Sequence, residues 1–258
     1  MFNRTWRKAA LALVASLALG MASSPALALD DQFYGAPDDY RVDLNLVRIQ
    51  SLLADKGFYR GPVDGFHREQ LGHAIMAFHK AADLDRSPTW MSGDMEVLSA
   101  WEPQVPDLPD DPNRIEVDLG RQVLHLVDEG EVVATLPISS GNGARYISSI
   151  PGYGWATAFT PRGSFRVQAH IPGWRYAPLG ALYRPWYFKG GFAIHGSTSV
   201  PAYPASHGCI RVTLDDADWL SERLSIGFRI NVRATIPRSD PAPLPITRPF
   251  TDPPGMYS

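Results

Sequence analysis

Cysteine is nearly absent from this chain: its 258 residues include one, Cys209. A single cysteine excludes an internal disulfide, and in an oxidising compartment an idle exposed thiol is a liability. Cys209 is therefore either buried and inert or kept for its chemistry. Lysine is scarce too, occurring only at Lys8, Lys56, Lys80 and Lys189, so the basic side is almost wholly arginine. No excess of positive charge exists, with 24 basic residues against 27 acidic ones, which argues against nucleic-acid binding. There is no internal repeat, and the apolar run Ala9–Met21 is too short to span a bilayer comfortably.

That run reads instead as part of a secretory signal. Arg4, Arg7 and Lys8 form a positive start, and Ala26-Leu27-Ala28 puts small residues where a signal peptidase reads, so cleavage is expected after Ala28. No cysteine follows the cut, which excludes a lipid anchor at that site. Residues 1–28 are thus assigned as a signal peptide and the mature protein as exported, to the periplasm or cell wall, without a stable membrane anchor. Residues 29–42 form a polar lead-in without periodicity.

Helical spacing begins at Asp43, placed to cap a helix carrying Leu46, Ile49, Leu52 and Leu53, with Gly57 at its end. Leu71, Ala74, Ile75 and Phe78 mark a second helix, and Met95, Val97, Leu98 and Trp101 a third. A small all-α domain over 43–101 follows from this. Residues 102–112 are rich in proline and acid, a stiff linker and the expected domain boundary. Beyond it the period falls to two: Ile115, Val117 and Leu119 alternate, as do Phe228, Ile230 and Val232. Residues 168–190 read as an aromatic loop. One helix is expected after Thr213, which with Asp216 makes a capping box. The domain at 113–236 is therefore mainly β with one helix, and the proline-rich tail 237–258 is expected to lack order.

The chemistry gathers in Ala193–Val212, where His195 precedes Gly196 and His207 precedes Gly208 and Cys209. A thiol is a weak nucleophile until an imidazole takes its proton. His207, two positions from Cys209, is poorly spaced for direct contact, whereas His195 can approach from a neighbouring strand, so His195 is the expected base. The run Ser206–Cys209 can offer backbone N–H groups to an oxyanion, with Gly208 allowing a tight turn. A zinc site of His195, His207 and Cys209 is chemically reasonable, but the sequence shows no fourth ligand. No metal or cofactor is expected.

These residues resemble two known families. Ile49-Gln50, Leu53, Gly57-Phe58, Gly61, Val63–Phe66, Ala74, Ala77–Lys80 and Leu98 are similar to the peptidoglycan-binding domain of cell-wall enzymes, which implies glycan strands as a partner of 43–101. The match departs at His79, where the family usually has glutamine, and over Ser87–Gly93. His195-Gly196 with Ser206-His207-Gly208-Cys209-Ile210-Arg211, supported by Ser140-Gly141, Thr160-Pro161, Gly163 and Phe165, resembles the YkuD-type L,D-transpeptidase signature.

That resemblance implies a β-sandwich with one helix. It makes Cys209 the nucleophile, His195 the general base and acid, and the Gly196 carbonyl the group that orients His195. Gly208 and Cys209 then contribute their backbone N–H groups to an oxyanion hole, with Ser206, His207 and Arg211 supporting the site. Arginine at 211 matches one branch of the family, where another has asparagine. The implied reaction joins peptidoglycan stem peptides: Cys209 forms a thioester with a tetrapeptide stem, releasing D-alanine, and an amine of a second stem resolves it. The aromatic stretch with Trp174, Tyr187 and Phe188 is the candidate lid. An L,D-carboxypeptidase, with water resolving the thioester, and an inactive wall-binding protein are the alternatives.

Overall fold

The computed structural model describes residues 42–148 and 154–237. The expected signal peptide at 1–28, residues 29–41 of the lead-in and residues 238–258 of the tail lie outside the described residues. Among the described residues no helix is long and apolar enough to cross a membrane.

Helix α1 (Leu44–Asp55) starts where Asp43 accepts hydrogen bonds from the amides of Asn45 and Leu46, and it buries Leu46, Ile49 and Leu53. Gly57, at φ +79°, turns the chain out of it. Gln50 then organises the following turn, its Oε1 accepting from Asp64 N and Gly65 N and its Nε2 donating to Phe66 O. Helices α2 (Glu69–Ala81) and α3 (Asp94–Ala100) complete the group. His79 joins them: buried, it meets the Ser87 carbonyl at 2.8 Å and Asp94 Oδ2 at 2.9 Å. The two departures from the peptidoglycan-binding pattern therefore belong together, since His79 holds the irregular Ser87–Gly93 stretch in place.

One sheet runs β3 (Glu131–Pro137), β2 (Val123–Asp128), β1 (Arg114–Asp118), β12 (Arg229–Arg233) and β6 (Gly163–Arg166). The second runs β11 (Ile210–Val212), β10 (Phe192–Gly196), β9 (Gly180–Lys189) and β7 (Ala169–His170), with β8 (Trp174–Ala177) also paired to β9. The core includes Ile115, Val117, Leu124 and Ile230 of the first sheet and Phe188, Ile194, Ile210 and Val212 of the second. Helix α4 (Leu214–Ser221) adds Ala217 and Leu220 to it, capped by Thr213 Oγ1, which accepts from Asp216 N at 3.0 Å. A separate hairpin pairs β4 (Arg145–Ile147) with β5 (Trp155–Thr157).

Strand β1 is buried on both faces, although only Ile115 and Val117 are apolar. Its other face is neutralised in place: Glu116 accepts from Arg114 at 2.7 Å, Arg233 at 2.9 Å and Asn231 at 2.9 Å. Arg114 also donates to the Pro106 and Asp111 carbonyls, which pins the proline-rich linker to this sheet.

Residues 168–190 correct the sequence reading, for they form strands β7, β8 and β9 rather than a loop. Pro185 inside the run disguises β9, since a proline ordinarily argues against a strand interior; the chain accommodates it beside Arg184 at φ +47°. The burial of Trp186 and Phe188 in the core prevails over the proline here.

The helices and the strands fall in one compact unit. Val123 of β2 packs within the helical core, Thr135 N donates to Gly57 O at 3.0 Å, and Arg121 pairs with Asp83 at 3.0 Å.

Candidate active site

Strands β10 and β11 run parallel, with Ile194 opposite Ile210 and His195 opposite Arg211. Cys209 immediately precedes β11, so the strand pairing brings it beside the histidine strand. The thiol is part-exposed and faces the Gly191 carbonyl at 3.7 Å, at the turn that leads into β10.

His195 is 6% exposed, and its Nδ1 lies 2.8 Å from the Gly196 carbonyl. A carbonyl can only accept, so Nδ1 carries the proton and neutral Nε2 has a lone pair to offer. Burial, aided by the Arg211 charge, holds the His195 pKa down to about 4. Burial also pushes the Cys209 thiol above its ordinary value. Thiol and imidazole are thus both neutral at rest.

The turn before Cys209 is tied from three sides. Ser206 Oγ donates to Cys209 O at 2.6 Å and accepts from Gly208 N at 3.0 Å. The amides of Ala205 and Ser206 both donate to Ser140 O at 2.9 Å. Thr160 Oγ1 donates to Gly208 O at 2.8 Å and accepts from Gly141 N at 2.9 Å. Gly208 itself has φ +138°, and a Cβ there would sit 2.6 Å from the Phe192 ring and 2.9 Å from Phe159 O. Glycine is needed for both angle and space. At Gly196 a Cβ would meet Ala217 and Tyr183 at 2.9 Å, so that glycine lets β10 pack against α4.

Two expected site features are corrected. The Gly208 amide is engaged by Ser206 Oγ, so in this structure it is not a free oxyanion donor. The Cys209 amide carries no hydrogen bond to a described residue and is the donor left available. Phe188 is 1% exposed in the sandwich core, 5.3 Å from Phe165, and cannot serve in a lid. The alternation of β9 turns Trp186 and Phe188 inward and leaves Tyr187 half-buried opposite Ala193. Trp174, 43% exposed and tilted against Tyr183, remains at the surface of the β8–β9 hairpin.

His207 is exposed and stacks edge-on against Tyr146 of β4, 4.8 Å between centroids, rather than bonding to the thiol. The β4–β5 hairpin went unnoticed in sequence, because each of its strands is three residues long, too short for a period of two to register. Gln122 also went unnoticed: at φ +61° it grips Ser140 through Ser140 N at 2.9 Å and Ser140 Oγ at 2.8 Å. Among the described residues no three of histidine, cysteine, aspartate or glutamate are grouped to hold a metal ion.

Comparison with known proteins agrees with this architecture. Residues 112–232 match the YkuD family model, an L,D-transpeptidase catalytic domain. The crystal structure of the L,D-transpeptidase from Xylanimonas cellulosilytica is 35% identical, with a TM-score of 0.69, covering 74% of this chain and 94% of that one. That is more of the chain than the family model spans. The L,D-transpeptidase of Stackebrandtia nassauensis is 19% identical over 75% of this chain and 93% of its own, with a TM-score of 0.44. That of Mycobacterium smegmatis is 24% identical over 48% and 59%, with a TM-score of 0.38. Neither of these two is close enough to carry weight. No curated protein matches the chain. On the family match and on the relative covered over 94% of its crystallised residues 123–326, the chain belongs to the YkuD-type L,D-transpeptidase family.

Proposed function

We propose that the mature chain is an exported cysteine acyltransferase that cross-links peptidoglycan stem peptides. The observation that carries this reading is the fixed tautomer of His195, whose Nδ1–H is held by Gly196 O and whose Nε2 is left to accept a proton, on the strand paired with the one Cys209 begins.

In the first step Cys209 Sγ attacks the carbonyl carbon that joins a diamino acid to the terminal D-alanine, and His195 Nε2 takes the thiol proton. The Cys209 N–H faces the developing oxyanion. The tetrahedral intermediate expels D-alanine, whose amine receives the proton from His195, and a thioester remains. In the second step an amine of another stem attacks that thioester, again giving its proton to His195, and the thiol is restored. Because both groups rest neutral, proton transfer accompanies attack instead of preceding it. Trp174 and Tyr187, on the hairpin beside β10, are the side chains that limit water there. The helical segment 43–101 supplies the glycan contact.

The test is incubation of the mature protein with a disaccharide-tetrapeptide, with products followed by mass spectrometry. Dimers lacking one D-alanine are expected; tripeptide alone would make the protein an L,D-carboxypeptidase. Full activity in Cys209→Ala would sink the mechanism. A covalent mass increase on Cys209 from a carbapenem is expected in parallel, and secretion predicts a mature N-terminus at Leu29.

A further inference from the structure

Lys80, in the last turn of α2, is 1% exposed, yet among the described residues its ammonium meets a backbone carbonyl and no carboxylate. Its Nζ donates to the Ile138 carbonyl at 2.9 Å. Burying an unpaired charge is costly, and burial together with the Arg86 charge brings the pKa of Lys80 down to about 7. An apolar side chain would fill the same space at less cost.

What the bond holds is the base of the active site. Ile138 lies just past β3, and its amide donates to Gln122 O at 3.0 Å. Ser139 exchanges both backbone hydrogen bonds with Arg211, at 3.1 and 3.0 Å, and Ser140 O takes the amides of Ala205 and Ser206. The Ser206–Arg211 run therefore rests on Ile138–Ser140 as on a rail. From the turn after α2, Arg86 donates to Gly120 O at 2.6 Å and to Ala202 O at 3.4 Å, the latter in the loop between His195 and Cys209. All three acceptors are backbone carbonyls, so the two cations fix the path of the chain and touch neither substrate nor reacting atoms.

We propose that Lys80 and Arg86 are positioning residues: through them the helical segment braces the Ile138–Ser140 rail and the Ala202 loop, and so sets Cys209 against His195. The proposal rests on the roles of Cys209 and His195 given above. It makes the helical segment part of the catalytic apparatus, beyond any role as a tether.

The experiment uses the full mature chain with Lys80→Met and Arg86→Met, each checked by thermal unfolding to be folded at the assay temperature. Two quantities are read: kcat and KM on the disaccharide-tetrapeptide, and the second-order rate of Cys209 alkylation by iodoacetamide. The expected result is a kcat about tenfold lower with KM nearly unchanged, within the ~hundredfold that a misplacement of about an ångström costs. The alkylation rate should shift in the same variants, which a purely structural role would not produce in folded protein. Wild-type kcat and wild-type alkylation rate in folded Lys80→Met would overturn the proposal. If Lys80→Met does not fold, the half-buried Arg86 decides by the same two readings. Should the wild-type chain prove inert on the stem peptide, a changed alkylation rate would still support the brace while the assigned reaction fails; an unchanged one would reject the brace as well.

Discussion

His195 and Cys209 are residues whose environment sets chemistry that their identity alone does not. A histidine in water titrates near neutrality, and the sequence leads one to expect an activity profile with that midpoint. Burial places the His195 pKa at about 4, so the imidazole stays an acceptor well into the acid range. In the proposed role His195 works unprotonated, so kcat/KM should hold from neutral pH down and fall only as pH approaches about 4, measured on a stem-peptide substrate. A half-maximal point between pH 6 and 7 would contradict the buried, neutral base. The raised Cys209 pKa works on the other side: the alkylation rate of the thiol should still be climbing with pH past 9.0, where an ordinary thiol begins to level off. The two residues stand out in the sequence, because Gly196 and Gly208 follow the histidines and the lone cysteine stands beside Gly208. The engagement of the Gly208 amide by Ser206 Oγ was not, since it depends on a side-chain rotamer in a turn.

Among elements, the helices were the most legible. Asp43 and Thr213 announce their helices as caps, and the apolar positions repeat at helical spacing. The β8–β9 hairpin was hidden by Pro185, and the β4–β5 hairpin by its shortness. Neither conceals itself from tertiary contacts, which decide strands more than intrinsic preference does. The turn before Cys209 is the element most exposed to test. Thr160 Oγ1 links Gly141 N to Gly208 O, joining two loops through one hydroxyl. Thr160→Val keeps the shape and leaves a buried amide and a carbonyl without partners, at a cost of about 1–3 kcal/mol. Urea unfolding should register that loss, and the rate of carbapenem adduct formation at Cys209 should fall with it. A variant with unchanged stability and adduct rate would remove Thr160 from the site.

At the scale of the whole molecule, the proline-rich segment 102–112 marks a change of secondary structure and not a separation in space. Sequence shows the change because the hydrophobic period switches from helical to two; it does not show docking, which depends on single side chains such as Val123 and Lys80. Lys80 gives this docking a pH signature. Its folded pKa of about 7 lies below its ordinary 10.5, so between those values the unfolded chain binds more protons than the native one. Stability then increases with pH across that window, and the cost of burying the charge is felt in full below about pH 7. Chemical denaturation at pH 7 and pH 9 should show this rise in the wild type and a flatter response in Lys80→Met. An identical slope in both proteins would mean the ammonium is not buried as described.

The parallel register of β10 and β11 has one more effect. Because His195 faces Arg211 across a ladder, the separation of His195 from Cys209 is set mainly by strand pairing, with the Ala202 contact steadying the loop that joins them. That loop can therefore gain or lose residues at Thr198–Val200, ahead of the braced Ala202, as a spliced cable might, without detuning the instrument at its ends.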